Sequence, residues 1–203
     1  MVPLLIILSL GIGYLLGAIP FGYLIARAHG VDILKEGSGN PGATNVKRVV
    51  GKRAGNAVFL LDFGKGFFAA LWPMVLVGDV NLALYLSILG LFSAIIGHSF
   101  SVFLRFRGGK GVATTMGGLV VVMPYVLLGG ILVWAIVYFF SRIVSVASLA
   151  FAMSLPVLSL LMGLNPLLLY LSLVITVLVF VRHRSNIASL LKRQEKQFSG
   201  PRK

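Results

Sequence analysis

The chain has 203 residues, 58% of them hydrophobic, and a mean hydropathy of +0.99; that apolar share far exceeds a soluble globule's and reads as an integral membrane protein. Lys and Arg number 18 against 5 Asp and Glu, a net charge of +13, and such an excess marks cytoplasmic loops rather than a nucleic-acid-binding face. Cysteine is absent, which excludes disulfides, thiolate metal sites and a covalent thioester.

A spanning helix needs roughly 20 mostly apolar residues, and the first run, 3–26, meets this. It lacks a basic leader and is too long for a signal peptide, despite Ala26-Arg27-Ala28, so it is expected to remain as an anchor. Gly13 and Gly17 within it form a GxxxG step, a sign of close helix packing. The loop 27–55 carries Arg27, Lys35, Lys47, Arg48, Lys52 and Arg53, which places it on the cytoplasmic side and the N-terminus outside.

That loop contains Gly37-Ser38-Gly39-Asn40-Pro41-Gly42-Ala43-Thr44-Asn45. Its glycines permit positive φ and close backbone approach, so successive N–H groups are expected to converge on an anion, with Ser38, Thr44 and Asn45 as added donors. Arg48 supplies a bidentate contact in this reading; an ordinary Asn-Pro-Gly turn is the alternative.

The run 56–77 holds Asp62 and Lys65 at i,i+3 spacing, where they share a helix face and can pair. Ions within a membrane span are functional by default, but a structural pair, with Lys65 supporting a neighbouring helix end, is an equal reading. After the turn Gly78-Asp79-Val80-Asn81, the span 82–98 ends at His98, a base, a phosphate donor or an interfacial histidine. Next comes Arg105-Phe106-Arg107-Gly108-Gly109-Lys110-Gly111, running into Val112-Ala113-Thr114-Thr115. A basic Gly-rich loop entering a helix N-terminus suits an anion, although the leading glycine of a Walker A loop is missing.

The run 112–140 has 29 residues, long for one span and short for two, and contains Gly117-Gly118, Pro124 and Gly129-Gly130. A single crossing would leave Arg142 and the basic tail 182–203 outside; two crossings, turning near Pro124, bring both inside. With the runs 143–163 and 166–181, the charges therefore predict an all-α protein of seven spans, N-terminus out and C-terminus in. Two spans are short, about 111–124 and 126–141, of about three to four turns each. All polar segments then share one membrane face in a single domain, 1–203, and interrupted helices are tolerated only where protein or a polar cavity surrounds their ends.

Several chemistries lack their residues. Asp32, Glu36, Asp62, Asp79 and Glu195 are the five carboxylates, too few and too scattered for a two-metal phosphotransferase. No His-x4-Asp pair follows His29, His98 or His183, and no Gly-x-Ser-x-Gly elbow is present.

Taken together, the segments from Gly37 to Asn45 with Arg48, Asp62 to Gly66, Gly97-His98-Ser99-Phe100 with Phe103 and Phe106, Arg107 to Thr114, Arg142 to Ser148, and His183-Arg184-Ser185-Asn186-Ile187 occur in the order found in the PlsY family. The chain resembles those bacterial acyl-phosphate:glycerol-3-phosphate acyltransferases over nearly its whole length, departing in the tail from Lys192. The resemblance implies transfer of a fatty acyl group from acyl-phosphate to the 1-hydroxyl of sn-glycerol 3-phosphate at the bacterial cytoplasmic membrane, with no metal or cofactor. Ser38, Arg48, Lys110, His183 and Asn186 are implied as catalytic; Gly42, Thr44, Asn45, His98, Gly108, Gly109, Gly111, Thr114, Arg142, Ser145 and Ser148 are implied around the substrates. The first loop and the Gly-rich loop take one phosphate each, in either pairing.

A mixed anhydride carries a good leaving group, so alignment and charge stabilisation are the main demands. The hydroxyl proton goes either to His183 or His98, or to a substrate phosphate oxygen. The second is favoured, because no carboxylate in the phosphate motifs orients either histidine. A transporter of an organic phosphate or lipid head group is the alternative function, since broken helices serve transport too.

Overall fold

The computed structural model describes residues 1–195, and these fall in two compact units, Met1–Val122 and the segment from Met123 onward. Of the expected basic tail, residues 196–203 lie outside the described residues. The first unit comprises α1 (Val2–Ala18), α2 (Phe21–Ala28), α3 (Ala43–Val49), α4 (Lys52–Leu76), α5 (Val80–Ser99) and α6 (Val112–Val122). The second comprises α7 (Pro124–Ser141), α8 (Val144–Leu161), α9 (Pro166–Arg182) and α10 (Arg184–Leu191).

Small residues and hydroxyls, rather than large apolar side chains, set the closest approaches in the first unit. The α1 glycines Gly13 and Gly17 lie directly against the α5 backbone at Gly90 and Ala94, so a Cβ at either would overlap it. Ser9 Oγ donates to Leu86 O (3.0 Å), and Ser93 Oγ to Leu10 O (2.6 Å). Partners rise together along both helices, so α1 and α5 run parallel; the GxxxG step is a packing device, as expected. Lipid tails are as apolar as leucine, and close backbone contact with satisfied hydroxyls therefore takes over the role of hydrophobic burial.

On its other side α4 packs against α6. Gly66 leaves room for the Thr114 carbonyl, and Gly117 for that of Phe63. Beneath α2 and α3 a small core of Ala26, Ile33, Val46, Ala54 and Val58 supports the polar loop between those helices.

In the second unit Gly129 and Gly130 of α7 receive Leu158 and Phe151 of α8. Thr176 Oγ1 of α9 donates to Ala152 O of α8 (2.7 Å). Arg142 turns the chain between α7 and α8 in the left-handed region (φ 56°), and Asn165 caps α9, accepting the Leu167 N–H (2.8 Å) ahead of Pro166. Large apolar side chains on α7, among them Leu128, Leu132, Phe139 and Phe140, are exposed, as a lipid-facing helix requires.

Five helical segments are long and apolar enough to cross a membrane, α1 with α2 counting as one; α9 with α10, bent by 61°, makes a sixth, and α6 is apolar but short. The helix is interrupted at Met123, beside the expected Pro124, and α7 has 18 residues rather than three to four turns. The first run is not one continuous helix. It breaks at Ile19-Pro20, where proline lacks an N–H and disfavours helical geometry in the residue before it.

Candidate active site

The first polar loop is held by its own amides. Asn45, buried on α3, accepts the Ser38 N–H through Oδ1 (2.9 Å) and donates through Nδ2 to Glu36 O (2.9 Å). Asn40 Oδ1 accepts the Gly42 N–H (2.8 Å), and the Gly39 N–H goes to Glu36 O (3.0 Å). Gly37 and Gly39 have positive φ, 64° and 67°, the reason glycine is required there. This corrects the expected nest: the N–H groups of Ser38, Gly39 and Gly42 are spent inside the loop. What the loop offers a ligand is side chains, the exposed Ser38 together with Thr44 and Arg48, which lie one turn apart on α3. Asn45 organises that loop. Asn45→Ala removes two part-buried hydrogen bonds and is expected to cost about 2 kcal/mol of stability, read by thermal unfolding in detergent.

The Gly-rich loop is clamped by the end of α5. Ser101 and Arg107 close a tight hairpin (Ser101 N–H to Arg107 O 3.1 Å, Phe106 N–H to Ser101 O 2.8 Å), with Arg105 and Phe106 both left-handed. The Gly109 N–H donates to His98 O (3.0 Å). A Cβ at Gly108 would overlap the His98 carbonyl, and one at Gly109 would overlap the His98 ring. Gly111 (φ 81°) then admits the chain to α6. Lys110 is half-buried in this loop. Thr114 is fully buried where α6 meets α4, and the buried hydroxyls of Ser99, Thr114 and Thr115 have no hydrogen-bond partner among the described residues.

Asp62 and Lys65 are both buried and paired at 2.9 Å, and Lys65 Nζ also donates to Ile19 O (3.1 Å), the carbonyl exposed by the break after α1. The reading of Lys65 as support for a neighbouring helix end is met. Asp62 Oδ1 lies 3.6 Å from His98 Nδ1, so a carboxylate from outside the phosphate motifs stands beside one of the two candidate histidines. The residues stand 36 positions apart on different helices, so nothing in their spacing pointed to the contact. A cavity of about 10 Å³ beside them has room for one water. Among the described residues no three His, Asp or Glu side chains gather as a metal-ligand set.

In the second unit His183 sits at the bend between α9 and α10, buried, with Nδ1 2.8 Å from Val179 O. A carbonyl only accepts, so Nδ1 carries a proton and points away from any substrate. Ser145 and Ser148 lie one turn apart and buried on α8. Ser145 Oγ and Asn186 Nδ2 both donate to Glu195 Oε1, at 2.7 and 2.5 Å. Glu195 was not among the expected site residues; its signal was that it is the one acidic residue in the tail 182–203. Arg142 is exposed, with its guanidinium 5.5 Å from the Phe139 ring centroid, a cation–π contact that anchors the turn.

Residues 7–193 match the family model described as glycerol-3-phosphate acyltransferase. The glycerol-3-phosphate acyltransferase of Carboxydothermus hydrogenoformans is 40% identical over 200 residues, 98% of this chain and 99% of that protein. That of Aquifex aeolicus is 43% identical over 185 residues, 91% and 95% of the two chains. The structure is also similar to crystal structures of PlsY, an integral membrane glycerol 3-phosphate acyltransferase, at 38% identity. Its glycerol 3-phosphate form gives a TM-score of 0.87, covering 98% of this chain and 96% of that one; its lysophosphatidic acid form gives 0.86, covering 96% and 95%.

Proposed function

The chain belongs to the glycerol-3-phosphate acyltransferase family, and from that premise we propose that it moves a fatty acyl group from acyl-phosphate to the 1-hydroxyl of sn-glycerol 3-phosphate. The products are lysophosphatidic acid and inorganic phosphate, and the step feeds phospholipid synthesis. The observation that carries this is the likeness to PlsY in its glycerol 3-phosphate and lysophosphatidic acid forms, which sets the transporter alternative aside. Acyl-phosphate as donor is the finer part of the proposal, supported by two separate basic polar loops in one unit, around Arg48 and around Lys110.

The whole chain, 1–203, serves this one activity. It crosses a bacterial cytoplasmic membrane seven times, N-terminus out and C-terminus in, with the short α6 as one crossing and the basic loops facing the cytoplasm. Surrounding lipid takes the acyl chains.

Ser38, Thr44 and Arg48 serve one phosphate, Lys110 with Gly108, Gly109 and Gly111 the other. Lys110 and the Gly-rich loop neutralise charge on the departing phosphate; Ser38 and Arg48 orient the glycerol phosphate. Attack at the carbonyl expels phosphate with the bridging oxygen. Palmitoyl phosphate labelled there with 18O should yield all label in inorganic phosphate. Label in free palmitate would mean attack at phosphorus and would overturn acyl transfer.

A substrate phosphate oxygen takes the hydroxyl proton, and His183, Asn186, Ser145 and Ser148 serve by hydrogen bonding. His183→Gln, which keeps a polar atom near the Nε2 position, is therefore expected to lower kcat by less than ~10²-fold. A larger loss with unchanged substrate affinity would make His183 the base.

A further inference from the structure

We infer that Asp62 is a positioning residue that holds both polar loops of the first unit through one buried carboxylate, an inference that rests on the acyltransferase reading above. Its reach runs in two directions, through His98 and through Lys65.

Toward the Gly-rich loop, Asp62 Oδ1 faces His98 Nδ1 at 3.6 Å. The same histidine accepts the Gly109 N–H at its carbonyl, and its ring occupies the space a Gly109 side chain would need. Fixing the His98 ring thus fixes the backbone just before Lys110. Toward the first loop, Asp62 holds Lys65 at 2.9 Å, and Lys65 donates to Ile19 O at the break between α1 and α2. Two residues beyond Pro20, Gly22 lies against the Pro41 carbonyl so closely that a Cβ would overlap it. Pro41 immediately precedes Gly42 and α3, which carries Thr44 and Arg48.

The chemistry favours a positioning role. Ions in a membrane protein's interior are costly unless paired, and this pair is buried on both sides. Each partner uses its remaining capacity on an element leading to a polar loop: the carboxylate on His98, the ammonium on a carbonyl freed by Pro20. A carboxylate can hold two cationic or donor groups at once, so one side chain sets the relative placement of both loops. Placement at that level is what an aligned two-substrate transfer depends on.

The test uses purified full-length protein and three variants: Asp62→Leu/Lys65→Met, which removes both charges and strands neither; His98→Asn; and all three substitutions together. Wild-type turnover tests the acyltransferase reading separately. The variants, compared with wild type, test the role of Asp62. The expected result is a folded Asp62→Leu/Lys65→Met protein whose KM for glycerol 3-phosphate rises at least ~10-fold. His98→Asn should show a comparable rise, and the triple variant little more than either, because the three residues act along one path. Unchanged KM and kcat in the folded variants, or fully additive losses, would overturn the inference. Should Asp62→Leu/Lys65→Met fail to fold, His98→Asn decides alone, since it leaves the ion pair in place: a wild-type KM would overturn the proposal.

Discussion

Lys110→Ala is expected to lower kcat/KM by about 10²–10³-fold while leaving the melting temperature close to that of the parent protein. Lys110 follows two glycines clamped against His98 and precedes Gly111 at the entry to α6. The half-buried Lys110 therefore sits on a backbone that has little freedom to drift. In a site partly screened from water, a fixed cation aimed at charge developing on a departing phosphate contributes on the order of 3–4 kcal/mol to the transition state, and alanine removes it. Lys110→Arg restores the charge with a planar, forked head, and partial recovery is expected. Initial rates with saturating acyl-phosphate and varied glycerol 3-phosphate, beside a melt of the same sample, check both halves of this expectation.

Gly66→Leu should prevent recovery of folded protein, whereas Gly64→Leu, two positions away on the same helix, should be tolerated. A Cβ at Gly66 would overlap the carbonyl of Thr114, which is α6 backbone and has no flexible end to swing aside. At Gly64 the nearest atom outside the helix's own backbone is Phe68 Cε2, 4.0 Å away. The first substitution forces α4 and α6 apart and is expected to cost at least ~3 kcal/mol; the second is expected to change stability by no more than about 0.5 kcal/mol. Monodispersity by size exclusion and thermal unfolding in the same detergent distinguish the two.

Much of the architecture was legible because the membrane sets a simple length rule. The runs 82–98, 143–163 and 166–181 became helices with ends within a few residues, and the interruption of the long run 112–140 falls at Met123, beside Pro124. The break at Ile19-Pro20 was passed over because hydropathy does not register a missing N–H. The polar loops were visible as loops from their glycines, but which donors they leave for a ligand was not. That depends on Asn45 and Asn40 turning back into the loop, and side-chain direction carries no signature in one sequence. The Asp62–His98 contact and the gathering of Ser145 and Asn186 by Glu195 join residues distant along the chain. Such pairs are fixed by helix packing, which glycine spacing announced for Gly13 and Gly17 but not for the ions.

The most direct measurement of the central claim is turnover by the purified protein in detergent, given palmitoyl phosphate and glycerol 3-phosphate without added metal, with lysophosphatidic acid and inorganic phosphate measured in the same samples. The account predicts equal amounts of the two products, rising together with time. Well-folded protein that forms no lysophosphatidic acid across several acyl-chain lengths would contradict it.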